Sequence, residues 1–341
     1  MATTDDRATL PSRRWSPGRL FFLAVTGLCL YLLLPSLAEV FEAWKHLGDF
    51  QPAWVVVMLV CETLSFACVW LLQAITLRCD DPFVITTTQL AGNAFNRVTP
   101  GGGATGTALQ ARMLADAGFE LSYAGSALAM QSLLISAAVV AMPILAIPAI
   151  IAGTQVPGKL VAAVWVGAFV FVVMLGAGAV FMVTRRPVLL VARAVARVMR
   201  FFRRPLREGF EERLIEQRDR VRETLGRRWP EALAAAVGRW GFEYFVLLVA
   251  LEAIGAHADP WLVLLAFVAA SALGMIPLTP GGLGFVEAGL TGTLALAGVH
   301  ADLAVLATLG FRLVSFWLPI PAGLIAAWLF RRRFPRVTAR A

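Results

Sequence analysis

The tetrapeptide Thr-Pro-Gly-Gly occurs twice in this chain, at Thr99–Gly102 and at Thr279–Gly282, each time inside a long apolar stretch. The offset of 180 residues also pairs Gly118 with Gly298 and Ala124 with Ala304. A Pro-Gly-Gly run interrupts a helix, because proline lacks the donor N–H and glycine has little helical preference. In hydrocarbon such an interruption strands polar backbone groups. It is tolerated only where protein or a wet cavity satisfies them. Two matched breaks in two matched halves therefore point to an internal duplication with a binding site where the repeats meet.

The apolar setting is that of a membrane protein. Of 341 residues, 59% are hydrophobic and 15% are charged, against about 25% charged in soluble domains. A helix needs about 20 apolar residues to cross the bilayer core. Stretches of that length lie at 18–37, 53–77, 124–151, 159–183, 231–254 and 302–330. The two regions that carry the breaks, 83–116 and 260–298, have shorter arms and read as broken re-entrant helical hairpins, although the same sidedness holds if each crosses twice. The expected fold is thus an all-α polytopic membrane protein with about six full transmembrane helices and two broken hairpins in an inverted repeat. Its expected organisation is a cytoplasmic tail (1–17), a first membrane half (18–183), an Arg-rich amphipathic segment (184–230), a second membrane half (231–330) and a basic tail (331–341).

Charge sidedness agrees with that arrangement. With both termini in the cytoplasm, Arg78, the 14 arginines of 185–230 and the basic tail all fall inside, and no arginine falls in an external loop. Three full spans separate the hairpins, so they open on opposite faces. The expected location is a bacterial inner membrane. The net charge of +8 follows from this bias and does not require nucleic acid. Arg193, Arg197, Arg200 and Arg204 share one helical face, which suits either an interfacial helix near anionic headgroups or a simple orienting tether.

Ionisable residues inside spans are costly and seldom idle. They are Glu62, Arg97, Arg112, Arg239, Glu243, Glu287 and Arg312. Glu287 follows the second break on a half-helix beginning near Gly284, and the exposed N–H groups of such a helix end favour an anion such as phosphate. Arg97, Arg112 and Arg312 add charge-assisted contacts. Asn96, Thr99, Gly101, Gly102, Thr279, Gly281 and Gly282 line the breaks, where small residues let backbones approach closely. Together they make a candidate lipid-headgroup site, with Glu287 as counter-ion, proton carrier or amine partner. The plainer alternative has Glu287 pairing with Arg312 or Arg239 to hold helices together. Arg239 and Glu243 stand at i,i+4 and read as a local pair. Pro319 and Pro321 kink the last element.

Other motifs fail. Gly101-x-Gly103-x-x-Gly106 matches a dinucleotide fingerprint literally, but no strand precedes it. Cys29, Cys61, Cys68 and Cys79 have no metal-binding spacing and read as free thiols. No cofactor or metal site is expected, and no nucleic-acid partner.

The run Asn96-x-x-Thr99-Pro100-Gly101-Gly102…Arg112…Gly118, then Pro277-x-Thr279-Pro280-Gly281-Gly282-Leu283-Gly284-x-x-Glu287-x-Gly289 and Arg312…Trp317-Leu318-Pro319, resembles the flippase-like membrane region of lysylphosphatidylglycerol synthases and their stand-alone UPF0104 or YbhN-like relatives. Ala104, Thr105 and Thr107 stand where many relatives carry an acidic residue. The resemblance implies movement of an aminoacylated or other lipid across the bilayer. Only 331–341 follow the last span, so the synthetic acyltransferase is not expected, and the chain reads as a non-enzymatic transporter of a phospholipid or an isoprenoid-linked or glycolipid. The rival readings are a lipid-carrier transferase and a scaffold whose Arg-rich segment recruits a cytosolic lipid-modifying enzyme.

Overall fold

The structure, a computed structural model, describes residues 52–99, 103–142, 144, 165, 169, 172–173, 176, 210–274 and 280–335. The expected span 18–37, nearly all of 159–183 and the first part of the Arg-rich segment lie outside the described residues, as do Cys29, Gly101, Gly102 and Thr279. All regular elements among the described residues are helical.

Helix α1 (Pro52–Leu77) is followed by α2 (Pro82–Val98) and α3 (Gly103–Asp116), which pack against each other as a hairpin. Helix α4 (Leu121–Ala141) comes next. Helix α5 (Phe210–Ala253) precedes a second hairpin of α6 (Pro260–Gly274) and α7 (Phe285–Leu296), with a 3₁₀ turn at Pro280–Gly282 between its arms. The last helix runs as α8 (Ala301–Arg312), a π-helical turn (Leu313–Trp317) and α9 (Pro319–Arg333). Among the described residues, four helices are long and apolar enough to cross a membrane: 53–77, 121–141, 228–253 and 301–333. They answer to four of the six expected spans. The chain is a multi-pass membrane protein.

The arms of both hairpins are shorter than these four helices. At 1.5 Å per residue, α2 is about 26 Å long and the other arms about 18–22 Å, against about 30 Å of hydrocarbon. The end of the Arg-rich segment, from Phe210 on, is helical and continuous with the span after it, broken only by a kink at Arg228 (φ −110°, ψ 16°) beside Pro230.

Local chemistry explains the ends. Asp81 caps α2, its Oδ1 accepting the amide N–H of Phe83 at 2.9 Å, with Pro82 at the first helical position. The helix stops at Thr99, extended at φ −101°, ψ 141°, as a residue before proline prefers.

The two halves repeat position for position at the other end of their hairpins. Gly118 (φ 99°) and Gly298 (φ 92°) both close a helix in the left-handed region. In each case the next residue's N–H returns to a carbonyl five back: Phe119 to Leu114 at 3.0 Å, and Val299 to Leu294 at 3.1 Å. Glu120 and His300 then begin the next helices from the same extended conformation. Ala124 and Ala304 are both fully buried.

Helix α2 is clamped on two sides by glycine contacts. A Cβ at Gly106 of α3 would strike the Gly92 carbonyl, and one at Gly323 of α9 would strike the Leu90 carbonyl and Ala94. Phe83, Met113, Phe330 and Phe334 pack at the open end of this hairpin, where Arg333 bridges to Asp81 at 3.1 Å.

Candidate functional site

The last helix ties the two breaks together. In an α-register Pro319 would have to donate to the Ser315 carbonyl, and it has no N–H. The chain there widens into a π turn, with Leu318 N–H bonded to the Leu313 carbonyl at 3.0 Å. The freed Ser315 carbonyl accepts Arg97 Nη1 at 2.5 Å. Arg97 Nε donates to Asn93 Oδ1 at 2.6 Å, and the guanidinium lies 5.1 Å from the centre of the Phe316 ring. The tip of the first hairpin is thereby fastened to the π turn.

The second tip reaches the same turn. Gly281 (φ 58°) lies directly against the Phe316 ring, where any side chain would collide. Its carbonyl accepts Arg312 Nη2 at 3.4 Å, and Arg312 stacks 4.1 Å from the centre of the same ring. Glu287 Oε1 accepts Arg312 Nε at 2.6 Å, while Oε2 accepts the Gly284 N–H at 2.7 Å. Both carboxylate oxygens are thus engaged, and Glu287 pins the start of α7 to the last helix. The 280–282 turn also lies against α2. The open end of the first hairpin sits at the C-terminal end of the last helix. The second hairpin feeds into the N-terminal end through 297–300.

More charge converges here than the breaks alone supply. On α5, Arg239 bridges to Glu243, donates to Ser65 Oγ at 3.3 Å and stacks on Trp240. The pair expected from i,i+4 spacing is present, but it is part of a larger cluster. Glu62, Glu243, Arg239 and Arg312 all act electrostatically on Arg97. Three arginines and three glutamates from α1, α2, α5, α7 and the last helix share one buried region. Arg97 is the cation of this set with no carboxylate within 4.0 Å among the described residues.

Other candidates are placed as follows. Thr99 Oγ1 bonds to the Phe95 carbonyl at 2.6 Å and to Thr105 Oγ1 at 2.7 Å. Asn96 Oδ1 is buried without a hydrogen-bond partner among the described residues. Arg112 does not join the tips. It lines a small pocket with Asp116, Arg331 and Phe334, at the open end of the first hairpin. Glu62 stands among the ionisable in-span residues of the sequence but was not placed at the breaks, and Ser315 and Phe316 were not singled out. Pro319 was the available signal for the carbonyl that Arg97 takes.

Residues 20–323 match the family described as the lysylphosphatidylglycerol synthase TM region. Two UPF0104 membrane proteins of Methanothermobacter thermautotrophicus are similar over shorter stretches. One is 33% identical over 87 residues, 26% of each chain; the other is 30% identical over 92 residues, 27% of this chain and 26% of its own length. The matched stretch spans about a quarter of these curated relatives.

Proposed function

Because the chain belongs to the family of the lysylphosphatidylglycerol synthase TM region, we propose that it carries a lipid headgroup across the bilayer between two inverted hairpins. The observation that carries this reading is Arg97, a guanidinium without a carboxylate partner, held where two broken helices meet inside the membrane. A half-buried arginine with donors to spare suits a phosphate, which accepts its planar fork. The anionic phosphate of a phospholipid or of a lipid-linked sugar fits that requirement, and no covalent chemistry is needed. The duplication is supported by the matched ends at Gly118 and Gly298, and its inverted sense by the attachment of the hairpins to opposite ends of the last helix. Such a repeat alternates access by rocking one half against the other around a fixed midplane site. Both termini then lie in the cytoplasm.

The test uses purified protein in vesicles containing a trace of headgroup-labelled phosphatidylglycerol, with leaflet exchange followed by quenching from outside. Wild type accelerates exchange. Arg97→Gln, checked for insertion and monodispersity, is expected to lose at least about tenfold, the equivalent of about 1.4 kcal/mol of headgroup binding. Unchanged exchange in that variant would remove the Arg97 site from the mechanism.

A further inference from the structure

Lipid transfer against a gradient needs a coupled source of free energy; a proton gradient is one, and the acidic groups of the cluster are not equally free to take up its proton. Glu287 has both oxygens committed, to Arg312 and to the Gly284 N–H. Glu243 is bridged to Arg239. Glu62 differs from both. It lies on α1 about one turn from the middle of the 53–77 span and is 7% exposed. Its Oε2 is buried with no hydrogen-bond partner, and no ion pair reaches it among the described residues.

The charged groups facing Glu62 are Glu243 and Arg239 from α5 and Arg97 from α2; Cys61 is its titratable neighbour on α1. Neither cation makes an ion pair with Glu62 among the described residues. Arg239 is bridged to Glu243 and bonded to Ser65, and Arg97 donates to Asn93 and the Ser315 carbonyl with Nη2 left for another ligand. A carboxylate so placed shares two distant guanidinium groups with another carboxylate. A buried charge without a direct partner is costly, and a proton is the smallest ligand that relieves it.

We propose that Glu62 is the proton-binding group of this site, and that proton uptake at Glu62 and anion binding at Arg97 favour each other. This rests on the lipid-carrier reading above. An anionic headgroup at Arg97 cancels a positive charge that helps to hold Glu62 ionised, so the loaded site binds the proton more tightly. By linkage the protonated site binds the anion more tightly by the same factor. A proton then travels with each headgroup, from water to the Glu62 carboxyl and back to water on the far side. For one proton per lipid, a gradient of one pH unit sustains up to about a tenfold leaflet asymmetry.

Two measurements on the full-length protein decide this. Infrared difference spectra across a pH titration read the carboxylic-acid C=O band directly, without lipid transport. The band is expected in wild type, absent in Glu62→Gln and shifted in Glu62→Asp, which keeps the proposal testable should the glutamine variant fold poorly. A band that persists unchanged in Glu62→Gln overturns the proposal. Binding of a short-chain phosphatidylglycerol, followed by intrinsic tryptophan fluorescence, is expected to strengthen as pH falls in wild type and to be tight and independent of pH in Glu62→Gln. Binding that keeps its pH dependence in that variant overturns the coupling and leaves the headgroup site in place. Absence of binding at any pH, with the infrared band assigned to Glu62, sinks the lipid reading and leaves the proton site standing.

Discussion

Arg312 and Glu287 make the tightest side-chain link between the second hairpin and the last helix. Arg312 is 8% exposed and Glu287 16%, and the pair closes at 2.6 Å with a further bond from the carboxylate to Gly284. Removing one member of such a pair strands the other in a medium that cannot solvate it, at a cost of about 3–5 kcal/mol. Replacing both by apolar groups of similar volume avoids that penalty. Glu287→Leu and Arg312→Met are therefore each expected to lower the thermal midpoint in detergent strongly. The double variant should recover much of the loss, and a loss equal to the sum of the two single changes would show that the pair is not coupled. Of the two sequence alternatives for Glu287, the pairing with Arg312 is present, and its second oxygen is also occupied.

At the scale of elements, α2 is the scaffold of the site. It carries Arg97 in its last turn and is pinched between α3 and α9 at Gly106 and Gly323. Gly323→Leu would push the last helix off α2, and with it the Ser315 carbonyl that Arg97 holds; overpacking of this kind costs about 1–3 kcal/mol. Gly125 of α4 has open space where a Cβ would go. Gly125→Ala is expected to be neutral or to stabilise by about 0.4–1 kcal/mol, because the unfolded chain loses freedom. Thermal unfolding of the two variants side by side checks both; equal effects would contradict the clamp. The π turn is the other element-scale device. It answers the missing N–H of Pro319 by offering a carbonyl to a different helix, so a helix defect becomes the joint between hairpin and span.

For the whole molecule, the duplicated plan makes a prediction about sides. Glu120 and His300 occupy equivalent helix starts 180 residues apart, and both are exposed. In a background without the four native cysteines, Glu120→Cys and His300→Cys should react with an impermeant maleimide from opposite faces of sealed vesicles. Labelling of both from one face would exclude the inverted arrangement.

Much of this plan is written in the order of residues. Hydrocarbon thickness makes length and apolarity decisive, so three of the described spans follow from their sequences within a few residues, and the helix expected at 124–151 is described over 121–141. Proline and glycine chemistry is local, so the breaks at Thr99 and Pro280 and the paired helix ends at Gly118 and Gly298 are legible from their motifs. What the linear order cannot supply is which charges meet. Arg112 and Arg97 lie one short hairpin apart in sequence, yet only Arg97 is at the tip, because the arms fold back and carry Arg112 to the open end. Glu62, Arg239 and Glu243 come within electrostatic reach of Arg97 because α1 and α5 pack along their length, a long-range contact with no local signature. Local chemistry decided where this chain bends and what crosses the membrane. Packing between distant segments decided which buried groups are neutralised and which are left to find a ligand.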